Sequence, residues 1–337
     1  MSPPEPDPTP DPEQSCSEGS TEARGSCSED VPPAPARSRA KRIAGFTVSI
    51  ALLALAIGAV AVRHDDIAQA MDHARQAPVW MIVLSVLLPP LNLLLIGASL
   101  WFITVRYGNV GFSEMISLVT SAWLLNFLPM KPGLMGRIAY HKRVNNIRVR
   151  DSARALGESV AMSVVATGSL LGIALLLLGV SSPWITVAGV AAPGLVLLVA
   201  IPFARIRSEN LALLGAAMLL RYLDILVWIA RYALLFHLLD APLTLGDTVL
   251  VTAASQIAQF IPFVGNGLGA REWGVGLVGG AKGATTAVAL TADLLNRASE
   301  IVLAVPLGLL ATAHIARRLR KRRNEPDRHA PSSPAQA

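Results

Sequence analysis

Six stretches of this 337-residue chain stay apolar for 20 residues or more: Ile43–Val62, Val79–Ile103, Ala155–Val180, Pro183–Phe203, Leu211–Leu239 and Ala284–Thr312. At about 1.5 Å per residue, 20 helical residues span about 30 Å, one bilayer hydrocarbon core. Such runs predict an all-α, polytopic membrane protein. Composition agrees: 53% of residues are hydrophobic and 15% are charged, where a soluble domain carries about 25% charged residues. An intrinsically disordered chain, a disulfide scaffold and an ordinary cytosolic enzyme are excluded as readings of the whole chain.

Charge is distributed unevenly. Residues 1–36 hold eight acidic residues and one basic, Arg24, a net of −7; with +6 overall, the remainder carries +13. Residues 1–42 read as a disordered, acidic, Pro-rich tail ending in a basic anchor, because the tail has too little apolar surface to offset its ordering entropy. The tail is not a signal peptide, since no basic start leads into an apolar run. Residues 43–312 read as the membrane domain and 313–337 as a basic cytoplasmic tail. The basic residues flank apolar spans and form no soluble basic domain, so no nucleic-acid partner is expected. The two cysteines, Cys16 and Cys27, lie in the acidic tail, and no Cys/His spacing suits a metal. No cofactor is expected.

The positive-inside rule sets a topology. Arg37, Arg39, Lys41 and Arg42 precede the first span, and Arg317–Arg323 follows the last. Both termini are therefore expected in the cytoplasm of a multi-pass protein of the cell membrane. Two apolar segments, Phe112–Pro129 and Asp247–Pro262, are shorter and end in helix breakers. If each dips into the bilayer and returns, through Gly133–Asn145 and Arg271–Gly280, the basic cluster Lys131–Arg154 keeps its distal end inside. The expected layout is six spanning helices plus two re-entrant helical hairpins, one from each face. An eight-span layout fits the charges less well.

The two breakers resemble each other. One reads Asn126-Phe-Leu-Pro129 and continues through Gly133 and Gly136 to Arg137. The other reads Gln259-Phe-Ile-Pro262 and continues through Gly265, Asn266, Gly267 and Gly269 to Arg271 and Glu272. Paired, Gly/Pro-broken short segments in corresponding positions mark an inverted-repeat transporter. Non-helical backbone at membrane depth is tolerated only inside protein or along a wet cavity. A half-helix starting at such a break presents free N–H groups to an anion, and an arginine in its first turns adds a bidentate charge.

Charges inside the spans draw two stripes. Arg221, Asp224, Trp228 and Arg231 share one helical face, and Asp293, Asn296, Arg297 and Glu300 share another. An unpaired charge near the bilayer centre costs about 2.5–3.5 kcal/mol on insertion scales. The stripes are expected to face inward and to pair, with Arg221–Asp224 and Asp293–Arg297 as the nearest local partners. Candidate binding residues are thus Arg137, Arg271, Glu272, Gly133, Gly267, Gly269, Arg221, Asp224, Asp293, Arg297 and Glu300.

Over roughly Ile43–Thr312 the sequence resembles the membrane region of the lysylphosphatidylglycerol synthase/flippase family. Pro129, Gly133 and Arg137 match its Pro-x-x-x-Gly-x-x-x-Arg pattern. Pro262, Gly267, Gly269 and Glu272 resemble its Pro-x-Pro-Gly-Gly-x-Gly-x-x-Glu pattern, with one extra residue, no second Pro, and Asn266 within the glycine pair. The resemblance implies a protein that handles phospholipid or lipid-linked headgroups and moves them between leaflets. Only about 25 polar residues follow Thr312, too few for the family's soluble catalytic domain, so no synthase activity is expected. Two other readings stay open. An intramembrane lipid-modifying enzyme would use Glu272, or Asp293 with Glu300, as its acid/base groups. A non-transporting membrane scaffold would recruit partners through its tails. Gly168 and Gly172 have GxxxG spacing, so a homodimer is a possible assembly.

Overall fold

The computed structural model describes residue 72 and residues 76–126, 132–179, 182–261 and 267–324. The expected acidic tail, the first span Ile43–Val62, and the breaker residues Pro129, Pro262, Gly265 and Asn266 lie outside the described residues.

All regular structure among the described residues is α-helical: α1 (Val79–Thr104), α2 (Phe112–Leu125), α3 (Pro132–Val144), α4 (Val149–Leu176), α5 (Pro183–Arg207), α6 (Glu209–Leu238), α7 (Leu245–Gln259), α8 (Ala270–Ala281) and α9 (Thr286–Asn324). Five of these, α1, α4, α5, α6 and α9, are long and apolar enough to cross a membrane. The four short helices have 12–15 residues, about 18–23 Å at helical rise, less than one hydrocarbon core. α9 continues 12 residues past the Thr312 boundary expected from sequence. Its last turns carry Arg317, Arg318 and Arg320. Arginine is a good helix former, and cations suit a helix C-terminus.

Polarity is inverted relative to a water-soluble fold. Leu195, Val196, Leu198 and Val199 of α5 are exposed, as are Leu309 and Leu310 of α9, while Asp224, Arg231, Arg271, Glu272, Asp293 and Glu300 are buried. Water would favour the reverse; a hydrocarbon surround favours this one.

The order long–short–short–long occurs twice, as α1–α4 and as α6–α9, with α5 between. α2 begins at Phe112 and α7 at Leu245, 133 residues on; α4 begins at Val149 and α9 at Thr286, 137 residues on. Packing is reciprocal. α1 lies along α6; α2 packs on α9 as α7 packs on α4. In each half the two short helices pack on each other as a hairpin. Gly133 makes the first close approach possible, because a Cβ there would stand 2.5 Å from the Ala122 carbonyl oxygen. In the second hairpin Gly267 (φ +72°) and Gly269 (φ +81°) supply left-handed backbone that a side chain disfavours.

The α1–α6 seam is held by buried polar groups as well as by Ile103 and Ala217. Ser99 Oγ donates to the Ala217 carbonyl at 2.8 Å. The Tyr222 hydroxyl donates to the Val190 carbonyl, tying α6 to α5. Pro89 and Pro90 lie inside α1 and cannot donate to the carbonyls four residues earlier. A Cβ added at Gly168 or Gly172 on α4 would meet nothing within 4 Å.

Candidate functional site

The hairpins converge on one cavity of about 260 Å³. Asn126 and Arg137 from the first hairpin line it, as do Gln256, Gln259 and Phe260 from the second. Asn92 of α1, Ser159 and Ser163 of α4, and Arg221, Asp224, Trp228 and Arg231 of α6 complete its polar wall, with Glu300 of α9. The amides expected to close the two first legs, Asn126 and Gln259, therefore both border the same space.

The α6 stripe is as expected. Arg221 Nη1 lies 3.2 Å from Asp224 Oδ2, the expected local pair. Arg221 Nη2 donates to Ser159 Oγ at 3.0 Å. Asn92 donates to Asp224 Oδ1 at 2.6 Å and accepts from Arg231 Nη1 at 3.1 Å, so one α1 amide orients both ends of the stripe. The Arg231 guanidinium lies 4.2 Å from the Trp228 ring centroid, in cation–π range.

Behind this wall stands a second charged layer. Arg231 Nη2 donates to Glu300 Oε1 at 2.8 Å and to the Asn296 side chain. Arg271 Nε donates to Asp293 Oδ2 at 3.0 Å, and its Nη1 reaches both Glu300 oxygens at 3.3 Å. The Tyr232 hydroxyl donates to Asp293 Oδ1 at 2.6 Å and is 2.7 Å from Ser255 Oγ. Glu300 thus joins the cavity to the tip of the second hairpin. The local pair Asp293–Arg297 does not form. Asp293 is held by Arg271, and Arg297 Nε instead lies 2.5 Å from Glu272 Oε1, in an ion pair not aligned as a hydrogen bond. Tertiary partners on α8 replace the i,i+4 neighbour, which an isolated helix would favour by only about 0.2–0.5 kcal/mol.

Of the eleven residues singled out by sequence, Arg137, Arg221, Asp224 and Glu300 line the cavity. Arg271, Glu272, Asp293 and Arg297 form the layer behind it. Gly133, Gly267 and Gly269 shape the hairpins and do not border it. Arg231, already on the sequence stripe, joins them, and Asn92, Tyr232, Gln256 and Ser163 do so only in three dimensions. For Asn92 a signal existed: it is the lone amide in the Val79–Ile103 run, two residues after a double proline.

Arg137 differs from every other buried arginine. It is 9% exposed, and no carboxylate among the described residues pairs with it; the like charge of Arg221 lines the same cavity. Gln256 Nε2 is a further buried donor without a hydrogen-bond partner among the described residues. Arg137 also borders a side cavity of about 200 Å³ between α2, α3 and α9, walled by Leu118, Leu125, Ile315 and Leu319. A larger hollow of about 570 Å³ lies at the α4–α5 turn and the start of α7. Its charges, Asp247 and Lys282, face each other at 3.3 Å and cancel. No family model, curated protein or solved structure matches this chain.

Proposed function

We propose that this chain is an integral membrane, flippase-like protein that binds the headgroup of a phospholipid or lipid-linked substrate at Arg137 and carries it between leaflets. The observation behind this reading is Arg137 itself: a buried guanidinium without a counter-ion among the described residues, in a cavity bordered by both hairpins. A buried charge left unpaired is costly, and an oxyanion repays that cost with charge-assisted, bidentate hydrogen bonds.

In this reading the two hairpins are re-entrant, one from each face, and with Ile43–Val62 the spans number six. The short helices are too brief to cross alone, and the repeated element order with reciprocal packing supports an inverted repeat. Both termini are cytoplasmic and the host is the cell membrane. The cavity is smaller than the roughly 300–1,000 Å³ pockets that enclose whole ligands, so it suits a headgroup while acyl tails remain in the bilayer. The phosphate accepts from Arg137, and Arg221 and Gln256 lie on the same wall. The side cavity, apolar apart from Arg137, Tyr140, Arg143 and Ser121, offers a lateral way in. Rocking of the halves about the α1–α6 seam exposes Arg137 to each face in turn, and the Arg231–Glu300–Arg271 chain ties occupancy to the second hairpin. Glu272 and Asp293, the acids an enzymatic reading would need, are held by Arg297 and Arg271 behind the cavity.

Reconstitution into vesicles with tail-labelled phospholipids, followed by quenching of the outer leaflet, tests the reading. Protein is expected to erase the protected inner-leaflet fraction, and Arg137→Gln to restore it. No protein-dependent movement of any lipid tried would defeat the proposal.

A further inference from the structure

The halves place different residues on their fourth elements. In the 137-residue register that relates the starts of α4 and α9, Asp293 corresponds to Leu156 and Glu300 to Ser163. Leu156 and Ser163 both line the cavity with Arg137. Where the second half offers Arg271 two carboxylates, the first offers Arg137 an isobutyl group and a hydroxyl. The hydroxyl is already engaged, since Ser163 Oγ donates to the Ser159 carbonyl at 2.8 Å.

Among the described residues the charges around the cavity can be counted. Arg137, Arg221, Arg231, Arg271 and Arg297 face Asp224, Glu272, Asp293 and Glu300, one positive charge in excess. Each of those four carboxylates already lies 2.5–3.3 Å from an arginine nitrogen. An ammonium entering here would find no free carboxylate among the described residues and would stand among arginines. Among the aromatic rings on the cavity wall, that of Trp228 already carries the Arg231 guanidinium at 4.2 Å, with that of Arg271 at 5.5 Å.

We propose that the group bound at Arg137 is a phosphodiester whose headgroup carries no amine, a net monoanion that fills the place of the missing Asp/Glu pair; zwitterionic and cationic headgroups are rejected. This rests on the lipid reading above and narrows it. Selectivity arises from both attraction and repulsion. The anion cancels the excess charge, whereas an amine adds a second positive charge to a site whose carboxylates, among the described residues, all lie against arginines.

The test uses the purified full chain in detergent and four lipids labelled on the acyl chain: phosphatidylglycerol, phosphatidylethanolamine, phosphatidylcholine and lysyl-phosphatidylglycerol. Phosphatidylglycerol is expected to bind at least about tenfold more tightly than the other three, a difference of about 1.4 kcal/mol. Soluble glycerol 3-phosphate is expected not to displace it at equal concentration. Ser163→Glu restores the absent carboxylate and is expected to bring phosphatidylglycerol down to the level of phosphatidylethanolamine. Arg137→Gln gives the same loss without adding a charge, and decides the matter if Ser163→Glu fails to fold. Equal binding of all four lipids overturns the charge inference and leaves the lipid reading standing. Displacement by glycerol 3-phosphate assigns the site to a free phosphoester and overturns the lipid reading. No binding of any lipid overturns both.

Discussion

Arg137 on α3 and Arg271 on α8 both follow a Gly-rich break and both lie where the hairpins approach the centre, yet their surroundings are opposite. Arg271 is fully buried and donates to Asp293 and Glu300. Arg137 has no such partner among the described residues and borders the cavity. Counted back from the helix ends, Val144 and Ala281, Arg271 sits three residues nearer the hairpin tip, about one turn deeper. A duplicated element order therefore does not imply a duplicated site. One hairpin is braced from within by paired charge, and the other, among the described residues, is not.

The largest contrast should appear in stability. Arg271→Gln strands Asp293 and leaves Glu300 with a single arginine, and is expected to cost about 3–5 kcal/mol, read as the unfolding midpoint in detergent. Arg137→Gln removes a buried charge that no described carboxylate balances, and is expected to change the midpoint little or to raise it. Equal losses would erase the distinction between the halves.

A smaller effect tests hairpin closure. Gly133→Ala drives a Cβ to 2.5 Å from backbone oxygen and is expected to cost about 1–3 kcal/mol. Gly274→Ala in the other hairpin meets the Ala254 carbonyl at 3.5 Å, an ordinary contact, and is expected to be neutral or to gain about 0.5–1 kcal/mol from helix propensity. Thermal midpoints of the two variants, measured side by side, would sharpen or dissolve the asymmetry in closeness.

The smallest effect lies at the hairpin bases. Glu114 and Asp247 occupy the third position of α2 and α7. Glu114 lies 3.0 Å from Arg318, and Asp247 lies 3.3 Å from Lys282. Lys282→Ala and Arg318→Ala are each expected to cost no more than about 1 kcal/mol, with Arg318→Ala the larger because Glu114 is buried.

Helix type, and five of the six expected long helices, were legible because a run of 20 or more apolar residues leaves little choice inside lipid. The hairpins were legible because Pro and Gly interrupt such runs at matching places. The inward direction of the stripes followed from the cost of exposing charge to hydrocarbon. Partner identity was not legible. Asp293 has Arg297 four residues on, and nothing local says that Arg271, 22 positions earlier, will reach it first. The contrast between Arg137 and Arg271 also escaped the motifs, which match at both arginines. It resides on α4 and α9, in Leu156 and Ser163 against Asp293 and Glu300, visible only once those helices are set in register. Likewise Asn92 is an isolated amide in sequence, and it becomes a hub only when α1 lies along α6.

The double proline of α1 bears on how such a molecule can move. Two successive rungs of the backbone ladder are missing at Pro89 and Pro90, so the rod is softest there, and bending it sacrifices fewer bonds than bending any neighbouring turn. Pro89 is itself part of the cavity wall, and Asn92, which grips both Asp224 and Arg231, follows within one turn. A flexure placed at that level would swing the amide while the far end of α1 stays seated, turning a small change of helix angle into a change in how the α6 arginine is held.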